Sequence, residues 1–568
     1  MHRRRRLPLV GAGVLSAALL VVAACGLTGG SGTVDGADRH RTGVPSIDKV
    51  SFADVAADVG LEFRHGAFQW QTGGDPAAMM GGGVCWLDYD GNGWLDLFAV
   101  NTWSNGEFNR WADQGGSPTS RLFANDRGQF RDVTDAAGAG LGVRGNGCVA
   151  ADLDGDGWTD LFVTTDRENQ LLWNDEGKGF TEGGAAAGVS TYGWHAGAAV
   201  GDVDGDGRLD LFVTGYANMN RRIPEATRGF PNTFQPEADL LLLNQGAVEG
   251  ERPRFRDVAA EVGVEAAGLD YGLGAILSDV DGDGDLDVFV ANDTNPNRLY
   301  LSEPADSALG FSLQELGATA GVDDPNAGMG IASGDYDGNG LIDLAVTNMG
   351  DQLHNVFRHG AGLRYRDDAP GVGPEGLGAG ITGWGAAFVD VDLDADLDLV
   401  IAHGAIPVRD LIDDREPVGV FENRTADGQP GVFRDASSAV GLDTVGPYLG
   451  RGLAAADYDN DGDLDFAIGT IGGDLALLRS SGGDGHWLTV APRPSIPGTV
   501  VTVTGSDGAM TRREVLAGSS YLSSEDDRVH VGLGRQSAVE HLQVEWPDGT
   551  VVELDDVAID QILVVDRR

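Results

Sequence analysis

Seven segments of this chain place side-chain oxygens at alternate positions of a nine-residue stretch. The first, DYDGNGWLD, carries Asp88, Asp90, Asn92 and Asp96 at positions 1, 3, 5 and 9. The second and third bring Asp152, Asp154, Asp156 and Asp160, then Asp202, Asp204, Asp206 and Asp210. The fourth and fifth bring Asp279, Asp281, Asp283 and Asp287, then Asp335, Asp337, Asn339 and Asp343. The sixth and seventh bring Asp390, Asp392, Asp394 and Asp398, then Asp457, Asp459, Asp461 and Asp465. Carboxylates this close repel one another unless a cation lies among them. Hard oxygen donors at 1, 3, 5 and 9, with a backbone carbonyl at 7, suit Ca²⁺, which takes 6–8 oxygens in a flexible shell. Histidine and cysteine are missing from the segments, which argues against zinc or copper. The segments are not EF-hand loops, because position 12 is Ala99 in the first and Val163 in the second, where that loop needs Glu. Glycine at positions 4 and 6 permits the tight turn. The sixth segment has Leu393 and Ala395 there, and its site is expected to be strained or weak.

What positions these loops is a repeat. They recur at intervals of 50–77 residues. A short Gly/Ala/Val run enters each loop and a strand such as LDLFVTGY leaves it. Segments like Arg121–Asp126 and Phe130–Gly138 supply a third and a fourth strand. Seven four-stranded units in series predict an all-β, seven-bladed propeller over residues 51–480. Phe52–Gly60 copies the last strand of a unit yet precedes the first loop, so it is expected to complete the seventh blade and remove an exposed edge. Residues 486–568 form a second, smaller β-sandwich or barrel, with apolar–polar alternation and a hairpin turn at Pro547-Asp548-Gly549. Gly532-Leu533-Gly534 is read as tight packing rather than a phosphate loop, and His530 and His541 as packing or surface residues.

Charge narrows the function classes. Asp and Glu number 88 against 39 Lys and Arg, a net charge of −49. Such a surface repels nucleic acid and anionic membranes. Seven divalent ions bring 14 charges, so −49 becomes −35 and the loaded protein stays acidic. Residues 1–25 read as a leader, with Arg3–Arg6 followed by an apolar run ending in Val22-Ala23-Ala24-Cys25. That ending resembles a bacterial lipobox, which implies a lipid on Cys25 and an extracytoplasmic protein tethered through the polar stretch 26–50. An ordinary signal peptide is the alternative. Cys85 and Cys148 are read as buried free thiols in preference to a bridge.

The loops, together with strands such as NRLYLS and FRDV, resemble FG-GAP/VCBS repeats, the propellers of integrin α-chains. Val531–Gly534 and Val544–Gly549, "VGLG…VEWPDG", resemble an ASPIC/UnbV module. The pair resembles the cartilage acidic protein family. The resemblance implies a calcium-binding propeller whose metal ligands are the loop residues named above. The link Ala491–Pro497 is shorter and richer in proline than is usual there.

A second function is expected on the face opposite the loops. The long connections there carry His65, His195, Asp293 and His403 with Trp70, Trp103, Trp111, Trp194 and Trp384. One reading is a shared mouth in which the histidines and Asp293 act as acid or base, making a calcium-dependent hydrolase, lyase or cyclase. The blander reading is packing between blades. No Gly-x-Ser-x-Gly elbow or other catalytic motif is present. The leading expectation is therefore a membrane-anchored, calcium-binding propeller that binds a protein or glycan.

Overall fold

The structure, a computed structural model, describes residues 45–568 other than 249, 370–376 and 426–427. The leader, Cys25 and the tether as far as residue 44 lie outside the described residues. Among those described, no helix is long and apolar enough to cross a membrane.

Seven four-stranded antiparallel sheets follow one another along the chain. Blade 1 is Val84–Leu87, Asp96–Ala99, Arg121–Asp126 and Gln129–Asp132. Blades 2 to 6 repeat this order, beginning at Gly145–Ala151, His195–Gly201, Gly272–Ser278, Ile331–Gly334 and Gly383–Val389. Blade 7 takes three strands from Gly450–Ala456, Asp465–Thr470 and Ala476–Ser481. Its fourth is the N-terminal strand Ser51–Asp54, paired antiparallel with Ala476–Ser481. The first strand of each blade lies against those of its neighbours, and the first strand of blade 7 lies against that of blade 1.

The inner strands are buried along nearly their whole length, so they read as continuous small apolar runs. Apolar side chains of adjacent blades interleave. One cluster joins Leu97 and Phe123 of blade 1 to Ala467 and Leu477 of blade 7.

Phe130–Gly138, expected to be one strand, divides in two. The strand ends at Asp132, and Thr134–Ala137 makes one helical turn closed by Gly138 at φ 68°. Asp132 Oδ1 accepts from Thr134 N at 3.0 Å, a local bond that competes with continued pairing. The same device recurs at Asp257 with Ala259 N and at Glu315 with Gly317 N.

The C-terminal module is a sandwich. One sheet sets His486–Arg493 between Val529–Gly534 and Gln561–Asp566. The other runs Met510–Glu514, Val500–Gly505, Val539–Glu545, Val551–Val557. Leu488, Val490, Val501, Val531, Leu542 and Trp546 fill the space between.

The free thiols expected at Cys85 and Cys148 are instead a disulfide, with Cα atoms 6.2 Å apart. Both residues sit on inner strands, and ring closure brings the inner strands of blades 1 and 2 side by side. Distance along the chain could not reveal that contact.

Candidate functional site

Each acidic loop joins the first and second strands of its blade. In all seven, the position-1 carboxylate accepts from the backbone N–H groups of positions 5 and 6, at 2.8–3.1 Å. The position-5 oxygen accepts from the N–H of position 7, as in Trp158 N to Asp156 Oδ1 at 3.0 Å. Positions 4 and 6 lie at positive φ in every loop, from 55° at Asn460 to 96° at Gly284. The sixth loop keeps this backbone with side chains in place, Leu393 at φ 62° and Ala395 at 81°. Such angles strain a β-carbon. Leu393 is buried beneath the module, and its carbonyl accepts from Gly534 N at 2.9 Å.

The position-9 aspartate opens the second strand and is fully buried. Its Oδ1 accepts from a third-strand N–H in each blade, as in Asn125 N to Asp96 at 2.7 Å and Asn174 N to Asp160 at 2.7 Å. Burial pushes Asp96, Asp160, Asp287 and Asp343 up to about 8 and Asp210 up to about 7, against their hydrogen bonds. Asp390, Asp398 and Asp465 are driven up by burial as well. A buried carboxylate is costly when ionised, and a neighbouring cation reverses that cost.

The donor set fits a hard divalent ion. In the first loop, oxygens of Asp88, Asp90 and Asp96 lie within 4.8 Å of one another, and equivalent triplets occur in other loops. Asp465 Oδ2 is buried and has no hydrogen-bond partner. Where arginines reach the rims, they face loop carboxylates: Arg252 pairs with Asp154 and Asp156, and Arg358 with Asp337.

Sequence reasoning missed the residue that couples one loop to the next. Asn125, Asn174, Asn244 and Asn423 lie in the last two positions of the third strands of blades 1, 2, 3 and 6. Each side-chain amide donates to the position-8 carbonyl of its own loop and to the position-2 carbonyl of the preceding blade's loop. Asn174 Nδ2 reaches Thr159 O at 3.0 Å and Tyr89 O at 2.9 Å. Asn125 reaches Tyr458 O at 2.9 Å, which ties blade 1 to blade 7. The signal was present as an Asn about 14–34 residues after the position-9 Asp, in strings such as FAND, LWND and LLNQ.

Also missed was a plug. Residues 514–528 of the module enter the propeller axis and touch the inner strand of every blade. Val84 N donates to Ser523 Oγ, Cys148 N to Leu522 O, and Val200 N to Ala517 O. Ser278 Oγ donates to Glu514 Oε2, Ile331 pairs with Ser520, Ala386 N donates to Ser520 Oγ, and Asp526 N donates to Ala455 O. Glycine admits the close approach: a Cβ on Gly83 would lie 2.0 Å from Leu522 O. On the loop face, Arg528 donates to Asp457 O at 2.9 Å and His530 bonds Gly462 O at 2.9 Å. His541 pairs with Asp555 at the surface. A Cβ on Gly532 would lie 1.9 Å from Asp390 Oδ2, so that glycine is tight packing.

The four residues expected to act as acid or base on the opposite face lie inside the protein rather than at its surface. His65, His195, Asp293 and His403 are all buried, and among the described residues no hydrogen bond joins any two of them. His65 Nδ1 accepts from Gly472 N, His403 Nδ1 donates to Pro417 O, and Asp293 accepts from Tyr216 Oη. Burial lowers His65 to about 3 and His195 and His403 to about 4. Trp194 and Trp384 belong to an apolar cluster with Met79, Tyr216, Tyr271 and Tyr521 that fills this end of the axis. Arg451 lies over Trp384 at 3.9 Å and donates to Met79, Gly404 and Gly450 carbonyls. Trp70 and Trp111 pair with each other at 4.7 Å, and Trp103, in the same connection as Trp111, is buried.

Comparison with known proteins agrees with this architecture. The FG-GAP-like repeat model matches residues 88–163, 152–213 and 279–346, and the ASPIC and UnbV model matches 490–568. Cartilage acidic protein 1 of Mus musculus is 30% identical over 315 residues, which is 52% of this chain and 45% of that protein. The Homo sapiens protein is 30% identical over 317 residues, 52% of this chain and 44% of that protein. The chain thus spans less than half the length of these curated relatives. Among solved structures, an Agrocybe aegerita lectin specific for non-reducing terminal N-acetylglucosamine gives a TM-score of 0.36 at 15% identity, covering 62% of this chain and 79% of that one. Bacillus licheniformis rhamnogalacturonan lyase PL11 gives 0.34 at 11%, covering 70% and 71%. The repeats and the C-terminal module make the chain a seven-bladed FG-GAP propeller carrying an ASPIC and UnbV module, similar over part of its length to cartilage acidic protein 1.

Proposed function

We propose that this protein is a calcium-loaded extracytoplasmic binding module, anchored to a membrane through Cys25, that engages a protein or glycan. The observation that carries the calcium part is the common geometry of the seven loops. Every one holds its position-1 and position-5 oxygens in the same backbone cradle, and every one buries the carboxylate at position 9. An all-oxygen donor set of this density suits Ca²⁺. The ion neutralises carboxylates that would otherwise oppose folding, and it pins the two strands that its loop connects.

Binding is favoured over catalysis because the histidines proposed as acids or bases are buried, and apolar packing with Arg451 fills the axis on that face. The Cys85–Cys148 disulfide supports an extracytoplasmic location, since such bonds persist in oxidising compartments. Metal-stripped protein should melt at lower temperature than protein in millimolar Ca²⁺, with Mg²⁺ restoring little. Identical melting with and without calcium would overturn the reading. Fatty-acid labelling of wild type but not of Cys25→Ser tests the anchor, and equal labelling of both would refute it.

A further inference from the structure

On the face opposite the acidic loops, a cavity of about 220 Å³ lies between blades 1 and 2. Its walls come from the connection after the second strand of blade 1, the corresponding connection of blade 2, and the turn at 142–144 between them. Trp103 forms part of the wall, and Phe108 stands at the cavity with 53% of its surface exposed.

The polar lining is unusual in its balance. Arg144 has a side chain only 4% exposed, held between Asp75 at 2.8 Å and Asp166 at 3.2 Å. Its Nε has no hydrogen-bond partner, and neither does Asp166 Oδ1. Buried groups of this kind normally find partners. Arg167 and Glu168 continue the wall, so the lining presents two guanidinium and two carboxylate groups with no net charge.

We propose that this cavity binds a single neutral sugar residue at the end of a glycan. The inference rests on the binding reading above and names its ligand class. An uncharged polyhydroxyl ligand supplies donors and acceptors together, which a wall of alternating Arg and Asp or Glu requires. Its C–H face packs on an aromatic ring, as Phe108 offers. The cavity is smaller than the roughly 300–1,000 Å³ of drug-sized sites, so it suits one ring. An acidic sugar meets no excess positive charge in the cavity and the −49 of the whole chain outside it.

The test is titration calorimetry of the full chain in millimolar Ca²⁺ against methyl glycosides of glucose, galactose, mannose, N-acetylglucosamine and glucuronic acid. At least one neutral glycoside should bind, and Phe108→Ala and Glu168→Ala should each weaken it tenfold or more. Methyl glucuronide should bind worse than that sugar. Melting temperature, read on the same samples, should be unchanged in Phe108→Ala, whose ring is exposed. Absence of binding to every neutral glycoside, binding indifferent to both substitutions, or preference for the glucuronide would each overturn the proposal. The calcium dependence of melting, measured in parallel, separates that failure from failure of the calcium reading.

Discussion

Leu393 and Ala395 show how one loop keeps a conformation its residues disfavour. Both occupy positions held by glycine in most of the other loops, and both adopt positive φ. They should nevertheless respond in opposite directions to glycine. Ala395 is half-buried at φ 81°, so Ala395→Gly should stabilise the calcium-loaded protein by up to about 1 kcal/mol. Leu393 is 2% exposed and packs against Gly483 and Gly485, so Leu393→Gly should cost about 2–4 kcal/mol through the cavity it leaves. Urea melts of the two variants decide this, and a gain in stability for Leu393→Gly would show that strain outweighs packing. His403 makes a different single-residue prediction. Its Nδ1 donates to Pro417 O at 2.7 Å, its Nε2 has no partner, and burial lowers it to about 4. Below the unfolded value near 6.5 the unfolded chain takes a proton that the folded chain refuses. The stability contributed by the neutral ring is therefore complete above pH 6.5 and is lost as pH falls toward 4. At pH 5 the loss is about 2 kcal/mol. His403→Gln, which can still donate to Pro417 O, should lose less stability than wild type between pH 7 and 5 in saturating Ca²⁺. An equal loss would contradict the assignment.

At the scale of elements, the blades are held together by bonds that cross between them. Asn174 satisfies carbonyls in two blades with one amide, and the Cys85–Cys148 bridge joins inner strands 63 residues apart in sequence. Asn174→Leu leaves the carbonyls of Tyr89 and Thr159 buried without that donor and should cost about 2–4 kcal/mol. Asn218→Leu, at a partly exposed position in the hairpin inserted between the second and third strands of blade 3, should cost much less. Equal effects would mean that the cross-blade bonds carry no special weight. The loops and their strands were legible because a repeated Asp pattern marks a turn between strands. The strand-end asparagines were harder to find, because their partners belong to a neighbouring unit and no local period records them. The disulfide was hidden for the same reason. The fourth strand was read too long because DVTDAAG is apolar enough for a strand while its Asp132 side chain folds back onto Thr134 N.

For the whole molecule, the propeller and the C-terminal module form one compact unit. The module is read in sequence as a separate sandwich, and its alternation and turn do give that fold. Alternation says nothing of the segment between strands, where Leu522 passes Gly83 and Gly147 and Tyr521 reaches Met80 O at 2.9 Å. Tyr521 is fully buried and meets Trp384 edge to face at 4.9 Å. Tyr521→Ala should therefore lower propeller stability by about 3–5 kcal/mol although it lies outside the blades, while Tyr192→Ala, at an exposed ring, should change it by less than about 0.5 kcal/mol. Equal, small effects would mean that the axis is held without the plug.

The proposed calcium loading unites these scales, because it accounts at once for the buried position-9 carboxylates and the shared loop backbone. Counting the metal tests it most directly. Native mass spectrometry of metal-stripped protein reloaded with Ca²⁺ should show about seven ions per folded chain, with the sixth site distinguishable by its strained loop. A folded chain that retains no calcium, or only one ion, would contradict it.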